Sequence, residues 1–496
     1  MSIALGHGAP HRAEIAPAPH LAWSRQGRDR FPLARVSLPV LLCFFLAHAA
    51  AAADWPHWRG PGYDGSAPSG GAFAGPTLRL ELEWSRTLGA GYSGISIAEG
   101  RAVTMYSDGA EDRLVALDAA TGETIWTHAV GPAFPAGHGS EGGPASTPTI
   151  EAGVVYALDP AGNLVAVRLA DGSEIWRLPL VARLGLTVPE PGLPTSPLVV
   201  GDRLFVETGS GGTSLAAVDK ASGAIVWTAG DDSAEYVSPI PAELAGVAQI
   251  LTVTDHAVTA FDPVTGASLW SAPGNQGQNI VPTPVLLGED RILLPGWWRS
   301  TALRVGRTDS GFEAHKLWET TDLKGTFATP VLHQGNLYGY SGEFLTCISA
   351  SDGARRWKSR IPGGNGLILV DGHLVIFGKG GTVVVALASP QGYSEAARID
   401  VFDSEGRTYP SFADGRIFVR NTRSIAAVRV AGEEALSGHV GRVRELARIA
   451  WLRTMRGFRD AGSWVWNRAI PTVFPHARHP QGPGDEPGSA AAAGSP

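Results

Sequence analysis

Apolar and polar positions alternate along this chain in short runs, and each run is broken by a glycine-bearing turn. Eight segments share one form: Ile97–Met105, Ile150–Leu158, Val199–Glu207, Leu244–Val253, Leu286–Leu294, Leu332–Tyr340, Leu369–Phe377 and Phe412–Val419. Each places a turn signal, such as "EG", "GD" or "DG", between two apolar stretches of β-branched and aromatic residues. That is the pattern of a β-hairpin.

A second phrase follows most hairpins. "LDAATGETIW" ends at Trp126, and its relatives end at Trp176, Trp227, Trp270 and Trp357; a shortened copy, "EAHKLW", ends at Trp318. Gly122, Gly172, Gly223, Gly266 and Gly353 occupy the turn at the point where a positive φ is expected. Asp118, Asp219 and Asp262 lie where a carboxylate can accept backbone amides inside that turn. Hairpin, third strand, turn and Trp-ending fourth strand make one repeat, with successive tryptophans about 40 to 50 residues apart, the spacing of a propeller blade. The sequence therefore predicts an all-β, eight-bladed propeller of four-stranded antiparallel blades over residues 78–430. "LRLELEWSRTL" (Leu78–Leu88) has a Trp but no preceding hairpin, and "SIAAVRV" (Ser424–Val430) has no strand after it. Pairing the two would close the ring and remove its exposed edge.

The "LDAATGxxxW" phrase resembles the repeat of the pyrroloquinoline quinone (PQQ)-like propeller family. Its superfamily holds quinoprotein alcohol dehydrogenases and the propeller lipoprotein of the outer-membrane barrel-assembly machinery. "DWPHWRGPGYDG" (Asp54–Gly65) in the 54–77 segment is similar to the "WPxWRGPxxDG" opening of secreted bacterial PQQ-like repeat proteins. The likeness spans about residues 54–430 and concerns fold more than activity. For a dehydrogenase it would imply PQQ held under two adjacent Cys, a Ca²⁺ ion and an Asp base. The chain has only Cys43 and Cys347, which are not adjacent. Glu207 in "FVETGSGG" is the nearest carboxylate to a flexible loop, and one Glu is not a hard-cation site. PQQ and Ca²⁺ are therefore expected only if the site has diverged, and no cofactor or metal is expected otherwise.

Composition adds limits. Of 496 residues, 63 are Gly and 36 Pro, which suits many turns and not a helical bundle. A net charge of −7 gives no bulk attraction to nucleic acid. Residues 1–53 read as an N-terminal extension and signal peptide: Arg25, Arg28, Arg30 and Arg35 precede the apolar run 36–53. An uncleaved anchor is the alternative reading. An exported protein of the periplasm or extracellular space is expected.

Residues 436–470 carry helical spacing, seven Arg against Glu445 and Asp460, and Trp451, Trp464 and Trp466. A basic amphipathic helix fits either an anionic membrane surface or packing across the propeller. Residues 471–496 read as a disordered tail.

The candidate binding residues are few. Trp297, Trp298 and Arg299, in "GWWRS", interrupt the fifth blade and offer a stacking surface for a ligand, with one Trp expected to pack between blades. "STP", "TSP", "VSP", "PTP" and "ATP" recur where each first strand starts, from Ser146 to Pro330. Such a ring of small hydroxyls would either cap a crowded axis or form a polar funnel. His138 lies in a long glycine-rich inter-blade loop. No nucleophile elbow, zincin motif or phosphate loop is present. The expected function is a non-catalytic, monomeric propeller that binds an envelope protein partner. The alternatives are a PQQ-dependent dehydrogenase with a divergent site and a propeller that binds a small ligand or glycan.

Overall fold

The computed structural model describes residues 54–432, apart from 76, 136–141, 189–191, 209–212, 233–236, 255, 275–281, 326, 405 and 407. The expected signal segment, the basic helix 436–470, the tail and His138 lie outside the described residues. The chain forms eight sheets arranged as an eight-bladed propeller. Blades 1 to 7 span residues 96–132, 149–179, 198–229, 240–273, 285–320, 331–359 and 364–400. Blade 8 takes three strands from 411–432 and its outer strand from Leu78–Thr87. That outer strand pairs antiparallel with Ser424–Gly432, so the ring closes as its two incomplete ends require.

Each blade grades from buried to exposed. The second strand of blade 2, Val154–Leu158, is almost wholly buried, because a neighbouring blade covers each face. The outer strand, Glu174–Pro179, is mostly exposed, because the blades splay apart at the rim. This explains why inner strands read as continuous apolar runs and outer ones as mixed.

The tryptophans and turn glycines form one device. The ring of Trp126, in blade 1, lies against Gly172, in the turn of blade 2; a Cβ there would be 2.7 Å from the indole. The same contact joins Trp84 to Gly122, Trp176 to Gly223, Trp227 to Gly266 and Trp318 to Gly353. These glycines have φ between 71° and 74°, so both backbone and neighbour exclude a side chain. The indole nitrogens of Trp84, Trp126, Trp176 and Trp357 donate to carbonyls of the next blade, those of Ala119, Leu169, Lys220 and Ser389, at 2.8–3.1 Å. Trp270 differs. Blade 5 replaces the short turn with a longer hairpin, and Trp270 donates to Gln249 Oε1 of its own blade at 2.7 Å.

One feature of the repeat is invisible in its apolar pattern. In all eight blades the pairing of third and outer strands skips a residue: Ile125, Ile175, Val226, Leu269, Leu317, Arg356, Ala396 and Glu83. In seven of these blades the skipped residue directly precedes the closing Trp. A bulge bends the strand and re-aims the next side chain, here the indole that docks on the neighbouring turn.

The closing seam has its own ties. Arg420, in blade 8, is fully buried and donates to Met105 O at 2.6 Å, Thr104 Oγ1 at 3.0 Å and Gly91 O at 3.2 Å, all from the blade 1 side. Burial pushes its pKa down to about 10, so it stays charged at neutral pH. Glu83, on the closing strand, pairs with Arg416 at 2.6 Å and also with Arg429. The segment that links blades 2 and 3 begins with one helical turn, Leu180–Leu184, which buries Leu180 and Val181 and stops at Gly185 (φ 69°).

Candidate functional site

Strands alternate in direction within a blade. The starts of the first strands and the links from second to third strand therefore share one face of the disc, and the Gly-bearing turns share the other. The axis is not an open channel. Trp55 bridges Ile97 in blade 1, and Pro56 O accepts the Ile150 amide of blade 2. Tyr63 packs on the Leu198 cluster of blade 3, and Gly65 O accepts the Leu369 amide of blade 7. The Arg59 guanidinium donates to Thr329 O and Pro330 O in blade 6, and Trp58 meets Tyr409 of blade 8 edge-on at 4.8 Å. A stretch of eleven residues can touch blades 2 and 6, across the ring from each other, only by crossing the axis. Ser66–Ala67 then adds a parallel fifth strand to blade 7.

Inside this plug the polar groups are enclosed. Arg59 is 3% exposed, and burial lowers its pKa. A further hydrogen bond goes to Asp64 O at 2.6 Å, so the guanidinium holds the loop's own backbone as well as blade 6. His57 stacks on Tyr63 with ring centroids 3.6 Å apart, and burial lowers its pKa to about 4.

Several hydroxyls at the strand starts bond to a neighbouring blade, while those of Ser146 and Thr195 are buried without a hydrogen-bond partner among the described residues. Thr147 Oγ1 accepts from the Gly94 amide, Ser196 Oγ from Thr147, Ser238 Oγ from Ser196 and Thr329 Oγ1 from Thr283, at 2.9–3.1 Å. Each bond crosses a seam, so these side chains stitch one blade to the next. The turn aspartates act locally: Oδ1 of Asp118 accepts the amides of Ala120 and Thr121, and Asp262 does the same for Val264 and Thr265. Asp219 accepts from the Ser222 amide at 2.8 Å and from its hydroxyl. These bonds hold all three carboxylates below their ordinary range.

The "GWWRS" residues divide. Trp297 is half-buried and meets Phe327 edge-on at 6.3 Å. Trp298 stands 64% exposed and Phe327 53% exposed. Arg299 reaches Glu319 Oε1 at 3.3 Å, so its charge is already countered. Phe327 O accepts the Tyr409 hydroxyl at 3.0 Å, which links this patch to Trp58 on the axis. Exposed Trp298 and Phe327 thus begin a row of aromatics running inward across one face. The sequence did not place Phe327 or Tyr409 beside the Trp pair, because blades 5, 6 and 8 meet there only in three dimensions.

The family model described as outer membrane protein assembly factor BamB matches residues 81–189, 112–359 and 258–395. The chain belongs to this family. A curated relative, outer membrane protein assembly factor BamB of Burkholderia pseudomallei (strain K96243), is 33% identical over 115 residues, which is 23% of this chain and 29% of the relative. Among solved structures, BamB from Moraxella catarrhalis is similar with a TM-score of 0.52 and 17% identity, over 71% of this chain and 97% of that one. Quinohemoprotein alcohol dehydrogenase from Comamonas testosteroni is similar with a TM-score of 0.52 and 13% identity, over 78% and 82% of the two chains. At these identities the two structures speak for the propeller fold.

Within this family member, the groups that quinone chemistry would call on lie apart. Cys347 is on the third strand of blade 6, fully buried beside Tyr338, with its thiol pushed up to about 11 by burial. A thiol held protonated in an apolar seam is a packing group. Glu207 is buried at the end of the second strand of blade 3. Among the described residues no group of three or more His, Cys, Asp or Glu is placed to hold a metal ion.

Proposed function

We propose that this chain is an exported, non-catalytic propeller of the bacterial cell envelope that scaffolds a protein partner through the aromatic face around Trp298 and Phe327. The observation that carries the reading is the plugged axis. Trp55, Arg59 and Tyr63 close the axis of the ring, while large exposed aromatics stand on one of its faces. Exposed Trp on a preorganised surface is the usual anchor of a protein interface. The family and the BamB relatives support an envelope location and an envelope protein partner. The resemblance would set PQQ against two adjacent Cys, and Cys347, a buried thiol with no second Cys among the described residues, does not offer that pair, so no cofactor is assigned.

The test compares wild type with W298A/F327A in cross-linking on intact envelopes. The wild type should give a discrete cross-linked partner, and the variant should lose it while keeping its melting temperature. An unchanged cross-link in the variant would overturn the choice of face. Alcohol-dependent dye reduction after adding PQQ and Ca²⁺ would overturn the non-catalytic reading.

A further inference from the structure

The seam between blades 3 and 4 departs from its neighbours. Trp227 docks on Gly266, but its indole nitrogen is buried with no hydrogen-bond partner among the described residues. In this seam Pro263 O, on the same turn, accepts Arg203 instead, at 3.0 Å. Beside it runs a cleft of about 660 Å³, within the usual range for small-ligand sites. It extends from Gly266 and Ser268, near one face, to Thr254 and His256, near the other.

Its lining is specific in chemistry. Thr228, Thr252, Thr254, Thr259, Ser268 and Ser271 contribute hydroxyls. Asp231 and Asp232 contribute carboxylates, and no Lys or Arg lines it among the described residues. Asp232 Oδ1 lies 3.0 Å from His256 Nδ1, and Asp232 Oδ2 accepts the Thr254 hydroxyl at 2.5 Å, so the carboxylate and imidazole are held in place. A carboxylate only accepts, so Nδ1 carries the proton toward Asp232. Thr252 is 1% exposed, lines the cleft, and its hydroxyl has no hydrogen-bond partner among the described residues. A buried hydroxyl left unpaired costs about 1–3 kcal/mol, a cost that a bound group would remove.

We propose that this cleft is a saccharide site that favours neutral or amine-bearing sugars. A sugar offers closely spaced hydroxyls that both donate and accept, matching the hydroxyl lining and the orphaned Thr252. Two carboxylates, with no Lys or Arg in the described lining and the His256 imidazole beside Asp232, repel acidic sugars and attract a protonated amine. The site is separate from the Trp298 face and stands or falls independently of the scaffold reading.

The test is calorimetric titration of the full chain with the glucosamine trimer, maltotriose and trigalacturonate. The glucosamine trimer should bind most tightly, maltotriose more weakly and trigalacturonate not at all. T252V keeps the side-chain shape and removes the orphan hydroxyl. Its unliganded melting temperature should equal or exceed that of the wild type, while its affinity for the glucosamine trimer falls about fivefold, the effect of one lost hydrogen bond. D232N should erase the preference for the amino sugar over maltotriose. Absence of saturable binding by all three sugars, or equal affinity of T252V and wild type, overturns the proposal. So does a lower melting temperature for unliganded T252V, because the hydroxyl would then be serving the fold.

Discussion

Two glycines of blade 2 separate backbone strain from inter-blade contact. Gly172 has φ 71° and lies under Trp126; Gly153 has φ 75° and nothing within 4 Å of where a Cβ would go. An alanine in the left-handed region costs about 1 kcal/mol or slightly more, so G153A should lose about that much. G172A carries the same strain and also forces a methyl to within 2.7 Å of the indole atoms. Overpacking of this kind adds about 1–3 kcal/mol, for a total of about 2–4 kcal/mol. Trp126 is 8% exposed, and its indole nitrogen donates to Leu169 O at 2.8 Å, so the ring has little room to retreat. Urea denaturation followed by tryptophan fluorescence would measure both variants. A double-mutant cycle completes the argument: in a W126A background, G172A should cost no more than G153A, because the clash is gone. If G172A and G153A destabilise equally in the wild-type background, the docked-indole account of the seams is wrong.

Arg420 should matter more than its distance from any surface suggests. R420M leaves the carbonyls of Gly91 and Met105 buried without a donor and should cost about 3 kcal/mol or more in denaturant unfolding; a loss below about 1 kcal/mol would show that the closing seam does not depend on it. His57 predicts a pH effect. Its pKa is lowered from 6.5 to about 4 by burial, so between those values the unfolded chain binds more protons than the folded one. Its contribution is complete above pH 6.5 and is lost as pH falls toward 4, by up to about 3 kcal/mol. The stability difference between wild type and H57Q should shift across that window, and a flat difference would refute the burial of a neutral imidazole. The W298A/F327A pair, 64% and 53% exposed in the wild type, should leave the unfolding midpoint within about 0.5 kcal/mol, as surface changes do.

What the sequence alone determined is the ring. A turn that needs Gly, a strand that ends in Trp and eight apolar hairpins are local facts, and each is enforced within about 40 residues of chain. Closure followed from simple accounting of strands, because Leu78–Leu88 and Ser424–Val430 were the two unpaired remnants, and they do pair. The bulge before each Trp is also local, yet it was missed, because pairing register depends on the partner strand and leaves no mark in the apolar pattern.

Tertiary structure alone decided where the polar groups go. "DWPHWRGPGYDG" has no periodicity, and only its contacts with blades on opposite sides reveal a plug across the axis. The hydroxyls of Thr147 and Ser196 could have lined a funnel, but the ring brings a neighbour's amide within 3.1 Å of each. Phe327 meets Trp297 at the Trp297–Trp298 face, and Thr252 and Asp232 line one cleft, because folding brings a loop and a strand that share no period to the same seam. Repetition writes backbone geometry into the sequence many times over. The contacts of the axial segment and of the Trp298 face are each written only once, and they have no period to read.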